Sequence, residues 1–248
     1  MRRKAITFAL CLTIVLCFSF VSIKLLSLQP DTSTFNTEWR YRFARYTWLR
    51  AVFGLHFDGD ARADYLSPRY SEIIVEVDAQ TGMLPVASVL RSFAERASMV
   101  TGKKVTLHYS DTSIPYTNSV SITEVDNIAK QYKHNLVPSS TAYLYVLFLS
   151  QSAANSNELA TTHSEQSLLI YSDALSEFTQ ASPATLPNYI VGTLVHEFGH
   201  QLGLPHNSEQ GCLMNEHAEL SKTAKADPSQ VNTDYCAYEK SLIQSMKW

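Results

Sequence analysis

From Glu72 to Ala79 the residues EIIVEVDA alternate between apolar and polar, the two-residue period of a strand. LPVASVLRSFAERASMVTG, Leu84 to Gly102, has the period of a helix and closes on a glycine. KVTLHYS (Lys104–Ser110) predicts a second strand. SITEVDNIAKQYKHN (Ser121–Asn135) predicts a second helix, with capping-box character at Thr123. The unbroken apolar run AYLYVLFLS, Ala142 to Ser150, is that of a strand buried on both faces. A polar loop from Gln151 to Glu165 separates it from the short strand SLLIYS, and a further helix begins just after Pro187. Strands and helices in this order predict an α/β architecture around a mixed, mostly parallel sheet with right-handed crossovers.

The N-terminus breaks this pattern. MRRK precedes an uncharged run from Ala5 to Ile23, nineteen residues, enough for a helix to span a bilayer core of roughly 30 Å. The run exceeds the apolar region of an ordinary signal peptide, and no convincing small-x-small cleavage site follows it. An uncleaved anchor is therefore favoured, with secretion after signal cleavage as the alternative. The basic flank stays in the cytoplasm, which places the rest of the chain outside. Residues 29–70 carry EWRYRFARYTWLR, in which aromatics interleave with arginines. Such a stretch suits a membrane surface or a helix packed on the following domain, and the sequence leaves both open. The expected division is 1–28 basic start and anchor or signal, 29–70 juxtamembrane segment, and 71–248 catalytic domain.

The chain has 248 residues, enough for one substantial core with a small appendage. A net charge of -3 without a basic tract gives no reason to expect nucleic acid. Of four cysteines, Cys11 and Cys17 fall in the apolar run. Cys212 and Cys236 remain as the exported pair, and an oxidising compartment reads them as a disulfide.

The chemistry concentrates in HEFGHQLGLPH, His196 to His206. His196 and His200 lie four apart on a helix, so both rings project from one face at the spacing two nitrogen ligands of one zinc require. Glu197 stands beside the first of them, placed to reach a water rather than the metal. Gly203 suits a left-handed helix stop and Pro205 keeps the helix from resuming, so His206 can return as a third ligand. Three protein ligands leave a position for water, the catalytic arrangement for one zinc ion. Other candidates are weaker. His163 and Glu165 suit a solvated loop pair better than a second metal site. His108, His134 and His217 lack ligand spacing and read as surface residues. Asp58-Gly59-Asp60 reads as a plain turn.

His196-Glu197-x-x-His200-x-x-Gly203-x-x-His206, followed by Met214, resembles the metzincin clan of zinc endopeptidases. The resemblance implies that His196, His200 and His206 ligate zinc, that Glu197 is the general base, and that Met214 forms a turn beneath the site. It also implies a C-terminal helix after the Met-turn, and a substrate lying along an edge strand, expected at Ser167, Leu168, Leu169, Ile170 and Tyr171. Within the clan, HEFGHQLGLPH…CLMN…DYC is most similar to archaemetzincins, then to matrixins. Archaemetzincins carry a second, four-cysteine zinc site. Here Asn207 and Glu239 stand at two of those positions, so a disulfide between Cys212 and Cys236 is the economical replacement. The implied activity is hydrolysis of peptide bonds in extracytoplasmic proteins. The alternatives are a non-catalytic membrane-anchored binding protein on this scaffold and a zinc amidase acting on cell-wall amides.

Overall fold

The computed structural model describes residues 2–29, 33–134, 140–215 and 225–247; His217, expected at the surface, lies outside them. Five strands form one sheet: β1 (Glu72–Ala79), β2 (Lys104–Tyr109), β3 (Thr141–Leu149), β4 (Ala160–Thr162) and β5 (Ser167–Tyr171). Their order is β2-β1-β3-β5-β4. All neighbours pair in parallel except β4, which runs antiparallel to β5. The helices are α1 (Arg2–Ser27), α2 (Arg40–Ala44), α3 (Thr47–Phe53), α4 (Arg62–Leu66), α5 (Ala87–Thr101), α6 (Ile122–Tyr132), α7 (Ser172–Phe178), α8 (Leu186–Gln201) and α9 (Ala237–Ser245), with a π-helical turn at Phe35–Trp39.

The central strand shows why its sequence lacks alternation. Leu144, Val146 and Phe148 enter the main core with Phe93 of α5 and Leu194 and Phe198 of α8. Tyr143, Tyr145, Leu147 and Leu149 enter a second core with Val125 of α6. Covered on both faces, β3 has no polar side to present. Removing each such side chain from water contributes roughly 1.5–3 kcal/mol.

Three local expectations are corrected. The capping box of α6 joins Ser121 to Glu124, not Thr123, because its two members must stand three apart with the first outside the helix. Helix α5 starts at Ala87 rather than Leu84, since Pro85 disfavours helical geometry at the residue before it. The expected edge strand Ser167–Tyr171 is not an edge: β5 is buried at every position between β3 and β4. The edge is β4, inside the stretch read as a loop. It is three residues long and half-buried, too short to show a period.

The N-terminal helix stands apart from this body. Lys4–Ser27 is long and apolar enough to cross a membrane by length and composition, and it is exposed over most of its length, with Ser27 buried where the following segment meets its end. The following segment folds back. Arg40 pairs with Asp60 at 2.9 Å and Arg50 with the buried Asp64. Burial raises the pKa of both carboxyls, and the paired arginines offset this only in part. Ala61, Tyr65 and Leu66 belong to the main core, so packing reaches well back into the stretch expected as juxtamembrane. The aromatic-basic segment thus packs on the domain through its arginines, while Trp39, Tyr46 and Trp48 remain exposed.

Candidate active site

Helix α8 begins with Pro187 in its first turn, where a missing N–H costs nothing. Its apolar face is fixed by Phe198, whose ring meets Tyr65 and Phe93 edge-on at 5.4 and 5.8 Å. The opposite face carries His196 and His200 into a cleft. After Leu202 the chain reverses at Gly203, whose φ of +88° only glycine adopts cheaply. There Leu204 N–H donates to the Gly199 carbonyl, closing the helix end. His206 follows, and the chain is pinned just beyond it by Asn207 N–H donating to the Met214 carbonyl at 2.8 Å.

These turns bring His196, His200 and His206 together. His206 Nε2 lies 3.2 Å from both His196 Nε2 and His200 Nε2. The remaining nitrogens of the first two rings face carbonyls: His196 Nδ1 meets Leu213 O at 2.9 Å and His200 Nδ1 meets Leu204 O at 3.0 Å. A carbonyl only accepts, so each Nδ1 carries the proton and each Nε2 presents a lone pair. Lone pairs converging at this distance repel unless a cation sits between them. Tetrahedral zinc with Zn–N bonds of about 2.0–2.1 Å sets its nitrogens roughly 3.3–3.4 Å apart, so the donor set fits that ion. The Nδ1–carbonyl contacts are the outer hydrogen bonds that orient such ligands.

Glu197 is buried beside this cluster, and Thr162 Oγ1 of β4 donates to its Oε2 at 2.7 Å. Met214 is fully buried beneath α8; a Cβ on Gly199 would lie 2.6 Å from its Sδ. Tyr235 donates its hydroxyl to the Val195 carbonyl, and complete burial raises its pKa well above the ordinary value, so it keeps that proton. Cys212 and Cys236 form a disulfide.

Beside the disulfide lies a feature the sequence did not disclose. Fully buried Glu239 accepts from the backbone N–H groups of Leu213, Met214 and Cys236 and from Asn207 Nδ2. Asn207, Cys212, Cys236 and Glu239 thus converge, with a disulfide and a carboxylate clamp doing the cross-linking. The clamp holds the Leu213 peptide whose carbonyl faces His196 Nδ1. Only Glu239 falling three residues after Cys236 hinted at a cap.

The other candidates separate. His163 pairs with Asp126 and Glu165 with His56, so they do not share a site. His108 and His134 are both exposed, as expected, and His134 also reaches the buried Glu76. The turn at Asp58–Asp60 packs on the end of the active-site helix: a Cβ on Gly59 would meet the Gly203 Cα at 3.1 Å.

The cleft around the histidines has a volume of about 1490 Å³, above the roughly 300–1,000 Å³ of small-molecule pockets. Its walls are β4, the Gly211–Leu213 turn, Tyr189 and Thr193 of α8, and Asn36, Arg40, Tyr41 and Phe57 from the N-terminal side.

Residues 151–238, which contain His196, Glu197, His200, His206 and Met214, match the matrixin family of peptidases. Over that stretch the chain has the zinc-metallopeptidase pattern of the metzincin type. The cofactor of this metzincin domain is zinc, and its sheet has the mostly parallel order described above. Among solved structures, an archaemetzincin from Methanopyrus kandleri is 17% identical, covering 72% of this chain and 97% of that one with a TM-score of 0.49. An archaemetzincin from Archaeoglobus fulgidus, complexed with malonate, is 16% identical, covering 68% and 98% with a TM-score of 0.41. No curated protein sequence matches the chain.

Proposed function

We propose that the protein is a membrane-anchored endopeptidase whose domain faces outward and hydrolyses peptide bonds of extracytoplasmic proteins. In this reading His196, His200 and His206 hold zinc and Glu197 is the general base. The observation that carries it is the convergence of three histidine Nε2 atoms, those of His196 and His200 presenting lone pairs, beside a buried carboxylate in a cleft large enough for a polypeptide.

Zinc, when bound, supplies Lewis-acid polarisation of a water molecule and of the substrate carbonyl. Glu197 takes the proton from the attacking water and returns it to the departing amine. Thr162 orients the Glu197 carboxylate through its hydroxyl. Substrate binding moves from the expected Ser167–Tyr171 to the true edge, Ala160–Thr162, where main-chain pairing supports an extended peptide without demanding a particular sequence.

The anchored topology is supported by the exposed apolar helix Lys4–Ser27 and the basic residues before it. The test is metal analysis of the detergent-solubilised full chain, coupled to a casein digest with and without a chelator. About one zinc per chain and chelator-sensitive cleavage are expected. Zinc without cleavage of any peptide would reject the endopeptidase reading.

A further inference from the structure

We propose that the outer face of the segment Phe35–Phe53 lies in the headgroup zone of an anionic phospholipid bilayer, seating one wall of the cleft at the membrane surface. The proposal rests on the anchored topology proposed above.

The segment has two unlike faces. Arg40 and Arg50 turn inward to Asp60 and Asp64. Outward stand Trp39, Tyr46, Trp48 and Val52, exposed by 48, 47, 66 and 48%. Large apolar side chains exposed this far cost free energy in water, and tryptophan and tyrosine are the residues that settle at the membrane–water interface. Arg42 stacks over Trp39 at 4.7 Å and Arg45 over Tyr46 at 5.3 Å. Two of the three exposed aromatics, Trp39 and Tyr46, are thereby accompanied by a cation of the sign that attracts acidic headgroups.

The occupant follows from continuity with α1. Phe20 of the apolar helix stacks on Phe53 at 5.8 Å, and Asn36 Nδ2 donates to the carbonyls of Gln29 and Ser27 at the helix end. A bilayer around α1 therefore reaches the segment folded against its outward end. The inner side of the same segment, through Asn36, Thr37, Arg40 and Tyr41, lines the cleft that holds His196 and Glu197. One short stretch thus touches the end of the span, the interface and the groove, and the mouth of the groove opens beside the bilayer.

The chain has three tryptophans, so Trp248→Phe leaves Trp39 and Trp48 as the only strong emitters. The full-length variant is reconstituted into phosphatidylcholine–phosphatidylglycerol vesicles, floated on a density gradient, and excited. Brominated lipids carry the quencher either just below the headgroups or near the chain ends. The shallow label is expected to remove most of the emission and the deep label little of it. Protein that floats with the vesicles but is quenched by neither label, or mainly by the deep one, overturns the proposal. Protein that fails to float refutes the anchor itself, and the proposal with it. Should Trp248→Phe fail to fold, the parent chain is read in the same way: shallow quenching of more than half its emission is expected, and an unquenched parent counts against the proposal.

Discussion

Glu239→Gln changes a single atom at the clamp beneath the active site. In the parent, Oε1 accepts from Met214 N and Asn207 Nδ2 at 2.6 and 3.2 Å, and Oε2 accepts from Cys236 N and Leu213 N at 2.9 and 3.2 Å. An amide replaces one of these acceptors with a donor, so whichever way it turns, one buried and one part-buried N–H group lose their partner. Each unsatisfied buried group costs about 1–3 kcal/mol, giving about 2–6 kcal/mol in all. For a protein of this size that lowers the Tm by roughly 5–20 °C. The clamp also holds the Leu213 carbonyl against His196 Nδ1, and loss of such an outer contact typically weakens metal affinity about 10–100-fold. Thermal melts and zinc competition against a chelator, run on the same preparation, read both effects. An unchanged Tm with unchanged zinc affinity would refute the reasoning.

Other perturbations test separate parts of the account. Replacing both Cys212 and Cys236 by serine opens a link across 24 positions, which should cost about 3 kcal/mol in the chain-entropy treatment, read by denaturant unfolding. Gly192→Ala would place a Cβ 2.5 Å from the Asn232 backbone oxygen. A loss of about 1–3 kcal/mol is expected, with a raised KM because Asn232 lines the cleft, and a parent-like melt and KM would contradict this. Arg50→Met strands the buried Asp64 carboxylate and should destabilise by about 3–5 kcal/mol, whereas Arg50→Met with Asp64→Leu should recover much of that. Equal melts for the single and double variants would argue against the fold-back of the N-terminal segment.

What could be read from the sequence was whatever is local in it. The strand β1, the fully buried β3 and the helices around them announce themselves by their periods, because each lies against one or two continuous cores. The histidine cluster is equally local: two ligand candidates one helical turn apart, a glycine that must be left-handed, and a third histidine just beyond. The missed features are products of tertiary packing. β4 is three residues long, and its Thr162 meets Glu197 across 35 positions. Glu239 reaches Met214 across 25 positions, and nothing near it in the chain predicts that it holds a loop rather than facing solvent. The strand taken for the edge illustrates the same limit: whether another strand lies outside β5 depends on how the preceding loop folds back. The arginines of the aromatic-basic segment fitted two environments, and the structure divides them between its two faces.

In the proposed mechanism Glu197 moves the proton while His196, His200 and His206 hold the metal. Glu197→Ala in the full chain, assayed for zinc content and for peptide hydrolysis in one preparation, tests this most directly. About one zinc per chain and a parent-like melt are expected, with hydrolysis reduced by at least about 10²–10⁴-fold, the usual contribution of a positioned base. His206→Ala, by contrast, should lose zinc and activity together. A Glu197→Ala chain that cleaves as fast as the parent, or one that loses its zinc, would contradict the account.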